Sequence, residues 1–295
     1  MTAAPEHATS PLSFTDVTVR FGTDDAVAPA VDSVSLSLER GEIFGIVGES
    51  GSGKSTLANT VLGLLPQNAR VTGGVTVDGR EVLGLSEKEL REVRGDEVSM
   101  IFQDASASLD PTWGVGDQIA ETLRAHRALS RREAKARALA LMAEVGIPDP
   151  AARYSDAMHR LSGGQRQRIV IAAALANDPQ VLIADEPTTA LDVTIQAQVL
   201  ALVERLRHDH GTTVLLITHD LGVIASVCDR VGVMYAGQLL EVGTTRELFA
   251  RPQHPYTRAL LAASPGRAPR GERLPVIPAE WSVESLQASE SGEQR

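Results

Sequence analysis

Cysteine is nearly absent: Cys228 stands alone in 295 residues. It has no partner for an internal disulfide and cannot hold an iron–sulfur cluster by itself, a count that fits a reducing, cytoplasmic setting. Positive charge is also short. Lys and Arg total 28 against 38 Asp and Glu, a formal net charge of −10, which disfavours non-specific binding to nucleic acid or anionic lipid and leaves room only for a local basic patch. No apolar run reaches the ~18 residues that a membrane span requires. A membrane role is therefore expected to run through partners. The opening "MTAAPEHATSPLS" has neither a basic n-region nor an apolar h-region, so it is not read as a secretion signal. Nor is there an internal repeat. What remains is ordinary for a globular protein, 43% hydrophobic and 22% charged residues, in a chain long enough to bury a sizeable core.

Two strand patterns occur. "SFTDVTVRF" (Ser13–Phe21) and "VDSVSLSL" (Val31–Leu38) alternate apolar and polar residues, as half-exposed antiparallel strands do. "IFGIVG" (Ile43–Gly48), "VSMIFQ" (Val98–Gln103), "VLIADE" (Val181–Glu186) and "TVLLITH" (Thr213–His219) are compact apolar runs with polar ends, suited to parallel strands buried on both faces. Helical patterns separate them, as in "IQAQVLALVERLRHD" (Ile195–Asp209). This alternation predicts an α/β sheet with ligands at the carboxyl ends of its strands. From Gln103 to Ser162 no buried strand is visible. "VGDQIAETLRAHRAL" (Val115–Leu129) and "RREAKARALALMAEVG" (Arg131–Gly146) predict a helical insertion whose charges form a solvated face. After about Phe249 the chain turns rich in Pro, Gly and Arg, and "SLQASESGEQR" at its end is expected to be disordered.

Chemistry concentrates at the strand ends. In "GESGSGKST" (Gly48–Thr56), Gly48, Gly53, Lys54 and Ser55 fit G-x-x-x-x-G-K-[ST] where a buried strand gives way to the helical "STLANTVLGLL". Glycines let successive backbone N–H groups converge on phosphate oxygens, and the helix directs its positive end at the same anion. Lys54 adds charge at the β- and γ-phosphates, and the Ser55 hydroxyl is placed to ligate Mg²⁺. The alternative, a Gly/Ser-rich turn with a solvated lysine, leaves the strand–loop–helix context unexplained. "VLIADEP" puts Asp185 at a strand tip, where it can hold Mg²⁺ through water, with Glu186 suited to orient or deprotonate an attacking water. That acidic pair can also be read as a helix N-cap. His219 ends a neighbouring buried run, able to contact a γ-phosphate and Glu186, although a lone histidine is often a bystander.

With these residues in place, the sequence resembles the ATP-binding-cassette (ABC) ATPases from about Ser13 to Pro265. "LSGGQRQR" (Leu161–Arg168) alone could be a helix N-cap on a Ser/Gly turn. It matches the family signature and follows the helical insertion, as the family requires. Gln103 matches the Q-loop glutamine and "ALD" (Ala190–Asp192) the D-loop. Phe21 is placed like the aromatic that stacks on adenine, though an aromatic at a strand end is more often simply packed. The resemblance implies an α/β fold with a P-loop NTPase (RecA-like) core, an antiparallel β subdomain and a helical subdomain. The ATPase domain spans 13–250, with the helical part at about 104–165. A C-terminal extension over 251–282 and a tail over 283–295 follow.

The implied site places ATP on Phe21, Gly48, Ser50, Gly51, Ser52, Gly53, Lys54, Ser55, Thr56 and Gln103. Mg²⁺ falls to Ser55, Gln103 and Asp185, and catalysis to Glu186 and His219. ABC ATPases work as head-to-tail pairs. In such a pair Ser162, Gly163, Gly164, Gln165 and Asp192 serve the ATP held by the other subunit. "GIVGESGSGKST", "MIFQD", "ADEPTTALDVTIQAQ", "THDLGVIA", "VMYAGQLLEVG" and the later "HPYT" (His254–Thr257) are similar to the ATPases of bacterial dipeptide, oligopeptide and nickel importers. Expected partners are a second ATPase subunit, two permease subunits and, indirectly, an extracytoplasmic binding protein, at the cytoplasmic membrane face. No nucleic acid is expected. Three departures stand out: "FQDASASLDP" carries Ala105 and Asp110 where relatives read "FQDP" and "SLNP", "VIPAEWS" keeps Pro278 but lacks the glycine, and no cysteine follows Cys228, so no iron–sulfur cluster is expected. A non-transport ABC ATPase of DNA repair or translation is the rival of another class. One cassette and the acidic balance weigh against it.

Overall fold

A computed structural model describes residues 10–263, apart from Asp25, Ser106 and Ala190. The end of the expected extension and the tail, Pro278 included, lie outside the described residues. The chain opens with β1 (Leu12–Phe21), β2 (Val31–Ser37) and β3 (Ile43–Val47), then α1 (Lys54–Val61), β4 (Ala69–Val77), β5 (Arg80–Glu81), α2 (Glu87–Val93) and β6 (Val98–Ile101). Four helices follow: α3 (Val115–His126), α4 (Arg131–Glu144), α5 (Pro150–Arg153) and α6 (Gly163–Ala174). The remainder is β7 (Val181–Asp185), α7 (Val193–His210), β8 (Thr213–Thr218), α8 (Leu221–Val227), β9 (Arg230–Tyr235), β10 (Gln238–Thr244), α9 (Thr245–Ala250) and α10 (Pro255–Ala262). No helix among the described residues is long and apolar enough to cross a membrane.

Two sheets form. An antiparallel sheet runs β2-β1-β4-β5, and a larger one runs β10-β9-β3-β8-β7-β6. The latter is parallel except for β10. Its strands are apolar throughout because both faces are covered. Phe44, Ile46, Val181, Ile183, Leu215 and Ile217 pack with Leu57 and Val61 of α1 and with the antiparallel sheet. Their neighbours Ile43, Val47, Leu182, Ala184, Val214 and Leu216 face the opposite way, into a cluster with α3, α4, α6 and α7. Each such Leu or Ile contributes about 1.5–3 kcal/mol by burial. The helical insertion shares this second core with the sheet, so its placement is tied to the strands that carry the chemistry. On α4 every charged residue but the half-buried Glu144 is exposed, while Ala134, Ala138, Leu141 and Met142 are buried, as its pattern predicts.

The sequence pattern missed β4, β9 and β10. Gly73 and Gly74 interrupt β4, and much of that strand is exposed, so alternation is weak there. A bulge opposite explains the glycine. Asp16 has φ 48°, and a Cβ on Gly73 (φ 96°) would lie 2.4 Å from the Asp16 carbonyl oxygen. Between β9 and β10 only Ala236 and Gly237 remain, both with positive φ, 47° and 86°. That is the geometry of a two-residue primed hairpin turn, made here without the Asn-Gly signal.

The parallel order β3-β8-β7-β6 brings four strand ends side by side. The phosphate-loop candidate follows β3, His219 follows β8, Asp185 closes β7 and Gln103 comes two residues after β6. The sheet edge thus collects what the sequence scatters over more than a hundred residues.

Candidate active site

Residues 48–53 leave β3 and deliver the chain to α1, whose N-cap Gly53 is left-handed at φ 96° with no side-chain cap. No acidic residue occupies the first turn of α1. A helix start without a side-chain cap or acid keeps its N–H donors and positive end for an external anion. Crowding restricts the loop as well. A Cβ on Gly48 would lie 2.1 Å from the Met234 carbonyl oxygen.

Lys54 is buried. Its ammonium donates to the carbonyls of Gly48 (2.9 Å) and Glu49 (2.6 Å) and to Ser52 Oγ (3.1 Å). Burial holds it below the ordinary lysine value, against the attraction of Glu186, Asp185 and Glu49. A dehydrated ammonium on a flexible stem can exchange loop carbonyls for phosphate oxygens.

Asp185 is buried, its carboxylate bonded to the Ser55 hydroxyl, and its Oδ1 has no hydrogen-bond partner. Desolvation raises its pKa; the Ser55 bond opposes, Glu186 adds to the rise and Lys54 opposes. A buried carboxylate oxygen left unpaired beside a hydroxyl is a costly arrangement unless a cation completes it. Hard oxygen donors of this kind fit Mg²⁺. The raised pKa gives a testable sign. The folded chain favours protonated Asp185, so its stabilising contribution is present below the ordinary Asp range and is lost as pH rises through the raised value. The melting temperature of the native chain relative to Asp185→Asn should therefore rise as pH is lowered from 7 towards 4. A constant difference over that range would refute the buried-carboxylate assignment.

Glu186 stands one residue beyond β7, at φ 46°, a strained conformation for a residue with a side chain. Its N–H is anchored on the Ile217 carbonyl at 2.8 Å. Three groups grip its carboxylate: Gln103 Nε2 donates at 2.9 Å, Thr189 Oγ1 at 2.8 Å, and His219 Nδ1 lies at 2.9 Å. Burial alone would raise its pKa, but the bonds from His219 and Thr189, the histidine charge and Gln103 together hold it low. The carboxylate is therefore ionised at neutral pH and fixed in direction, as a water-orienting base requires. Against an ionised carboxylate, which only accepts, His219 carries hydrogen on Nδ1.

No helix begins at Asp185–Glu186, so the N-cap alternative for that pair does not apply. Asp192 fills that role for α7, accepting from the Ile195 N–H at 3.0 Å. The cap reading of the signature does hold. Ser162 caps α6 in a reciprocal box, Gln165 N–H to Ser162 Oγ at 3.3 Å and Ser162 N–H to Gln165 Oε1 at 2.9 Å. Gly164 allows α7 to approach, since a Cβ there would meet Ile195 at 2.6 Å, and a Cβ on Gly163 would touch Leu191 at 3.7 Å. The signature and the D-loop candidate Asp192 thus share one surface; Ala190 of "ALD" lies outside the described residues. Phe21 is 39% exposed at the end of β1, so part of its surface is open to solvent. β6 ends at Ile101, two residues earlier than its apolar run predicts, and this frees Gln103 to reach Glu186.

Thr189 escaped the sequence reading. Its signal is present in "DEPTT", where a hydroxyl three residues after Glu186 closes a turn, Thr189 N–H donating to the Glu186 carbonyl at 3.1 Å. Replacing Thr189 by Val keeps the shape and removes one donor to the carboxylate. ATP turnover should fall roughly threefold to tenfold, the range of a single hydrogen bond, with ATP affinity retained. Turnover equal to native would remove Thr189 from the site.

Comparison with known proteins agrees with this geometry. The profile of the family described as "ABC transporter" matches residues 31–189, and that described as "Oligopeptide/dipeptide transporter, C-terminal region" matches residues 240–292. The chain is 49% identical over 268 residues to the dipeptide transport ATP-binding protein DppD of Bacillus subtilis (strain 168), covering 90% of this chain and 80% of that one. It is 46% identical over 277 residues to the oligopeptide transport ATP-binding protein OppD of Salmonella typhimurium, covering 94% and 83%. Among solved structures, the ATP-binding cassette MJ0796 in a dimeric post-hydrolysis state bound to ADP and Pi matches with a TM-score of 0.71 at 30% identity, over 80% of this chain and 99% of that one. This chain therefore belongs to the ABC transporter family, as an ATP-hydrolysing subunit that carries the oligopeptide/dipeptide transporter C-terminal region.

Proposed function

We propose that this subunit hydrolyses Mg-ATP to power the import of peptides. The observation that carries the catalytic reading is the three-donor grip on Glu186 beside Asp185 and Ser55. Lys54 and the backbone N–H groups of residues 50–56 bind the phosphates, and Phe21 stacks on adenine. Ser55, Gln103 and Asp185 would hold Mg²⁺, which would supply positive charge to the phosphates. Glu186 orients and deprotonates the attacking water, and His219 contacts the γ-phosphate from the neighbouring strand end.

A second ATPase subunit, identical or homologous, completes the cage. Its signature and D-loop meet this chain's ATP, while Ser162, Gly163, Gly164, Gln165 and Asp192 meet the partner's. Two capped, glycine-bearing helix starts facing two phosphate loops give closure that depends on ATP and is released by hydrolysis. Two permease subunits, fed by an extracytoplasmic binding protein, carry the cargo, and the chain lies peripherally on the cytoplasmic membrane face. The peptide assignment is supported by the C-terminal region over residues 240–292 and by relatives named for dipeptide and oligopeptide transport.

The test is co-purification. The tagged chain, recovered from detergent-solubilised membranes, should bring down two integral membrane proteins and a second ATPase. Recovery of nucleic acid with no membrane protein would replace this reading with a non-transport role.

A further inference from the structure

Helices α6 and α7 begin side by side, with the signature serine Ser162 as N-cap of one and the D-loop candidate Asp192 as N-cap of the other. Their opposite ends meet again, in a polar cluster that the catalytic site does not use. His210 is the last residue of α7, Glu144 the last of α4, and Asp178 lies in the turn that leaves α6 for β7. The His210 side chain is 18% exposed. Its Nε2 lies 2.8 Å from Glu144 Oε1 and its Nδ1 3.3 Å from Asp178 Oδ1. An ionised carboxylate only accepts, so each contact needs a hydrogen on the facing nitrogen. Either neutral tautomer serves one carboxylate, and the doubly protonated ring serves both.

The two acidic residues are themselves held. Asp178 has φ 54°, and its N–H donates to the Leu175 carbonyl, just past α6, at 3.0 Å. Its carboxylate accepts from Arg127, just past α3, at 3.3 Å and from Arg137 of α4 at 3.4 Å. Arg205 of α7 donates to the Glu144 carbonyl at 2.7 Å. The imidazole therefore joins the end of α7 to the helical insertion and to the end of α6, with both nitrogens engaged.

A helix is stiff, so a pin at one end sets the direction of the other. α6 runs for 12 residues. Over that length, ~18 Å at the helical rise, a tilt of about 5° at the cluster moves Ser162 by about 1.6 Å, several times the tolerance of a hydrogen bond.

We propose that His210 is a positioning residue for the signature and D-loop surface, latching α4, α6 and α7 so that Ser162 and Asp192 stand ready for the partner's ATP. This rests on the role given to those residues above. A pre-set surface removes an ordering cost on association. The chain's own phosphate loop lies outside the network. ATP-driven pairing thus depends on the latch, and ATP binding to the single chain does not.

The test uses the full-length chain in the Glu186→Gln background, where ATP-loaded dimers should accumulate. His210→Phe keeps a planar ring and removes both nitrogens. It should raise the protein concentration for half-maximal pairing in Mg-ATP roughly tenfold, about threefold from each subunit, within the range of one hydrogen bond. The Kd for Mg-ATP, read on chain too dilute to pair, should stay within about twofold. Glu144→Leu should act in the same direction, and adding it to His210→Phe should change little further, as partners in one contact do. Leu90→Ala, a buried position of α2 outside the network, should lower the melting temperature and leave pairing unchanged. Undiminished pairing in His210→Phe overturns the proposal, as do fully additive effects of His210→Phe and Glu144→Leu. An equal loss of pairing in Leu90→Ala overturns it too, reducing the effect to general stability. Failure of Glu186→Gln alone to pair in ATP would sink the role of the signature at the partner's ATP, and the inference with it.

Discussion

Glu186→Gln should lower steady-state ATP turnover by roughly 10²–10⁴-fold, the contribution of a positioned base, while ATP still binds. The substitution is nearly isosteric. The amide oxygen can keep accepting from Gln103 and Thr189, which now meet Oε2 at 2.9 and 2.8 Å. The amide nitrogen then faces His219, whose ring can move its hydrogen to Nε2 and accept at Nδ1. Geometry survives and basicity does not. On the proposed linkage of closure to the intact triphosphate, the variant should accumulate as an ATP-loaded dimer, seen by size exclusion in Mg-ATP. A variant that turns over at the native rate, or that stays dissociated in ATP, would refute the role given to Glu186.

Lys54→Met should weaken ATP binding by on the order of a hundredfold, since charge-assisted bonds to phosphate count for about 1.5–3 kcal/mol each. Methionine preserves the apolar stem of a side chain that is 6% exposed, so the fold should tolerate it. The ammonium now satisfied by two loop carbonyls and Ser52 is the group that would transfer to the phosphates. Removing it also removes a cation near Asp185 and Glu186. Equilibrium titration with Mg-ATP reads the effect. Affinity within a factor of two or three of native would mean that the loop does not bind phosphate through this lysine.

The catalytic edge was legible because its signals are local. A strand buried on both faces shows as an apolar run, and the polar residue that ends it must stand at the sheet's edge. That logic pointed to Asp185, Glu186 and His219 as strand-end candidates with an N-cap and a bystander as alternatives; the phosphate-loop pattern supplied Lys54, and the resemblance to ABC ATPases joined the four. Thr189 was missed because its signal in "DEPTT" is a short turn and not a periodic pattern. β9 and β10 went unread for a related reason. Their hairpin turns through Ala236, where a side chain tolerates positive φ that sequence rules reserve for Gly or Asn. β4 is half exposed and broken by Gly73 and Gly74, the first of which is required by the bulge opposite. Element pairing decides such positions, and one strand's pattern does not contain its partner's.

Uptake of a labelled dipeptide and of labelled nickel, in cells that carry either the native chain or Glu186→Gln, tests most directly that hydrolysis at Glu186 drives peptide import. Dipeptide uptake should be lost in the variant while nickel uptake is unchanged. Loss of nickel uptake alone would move the cargo to the metal, and undiminished uptake of both would contradict the import function.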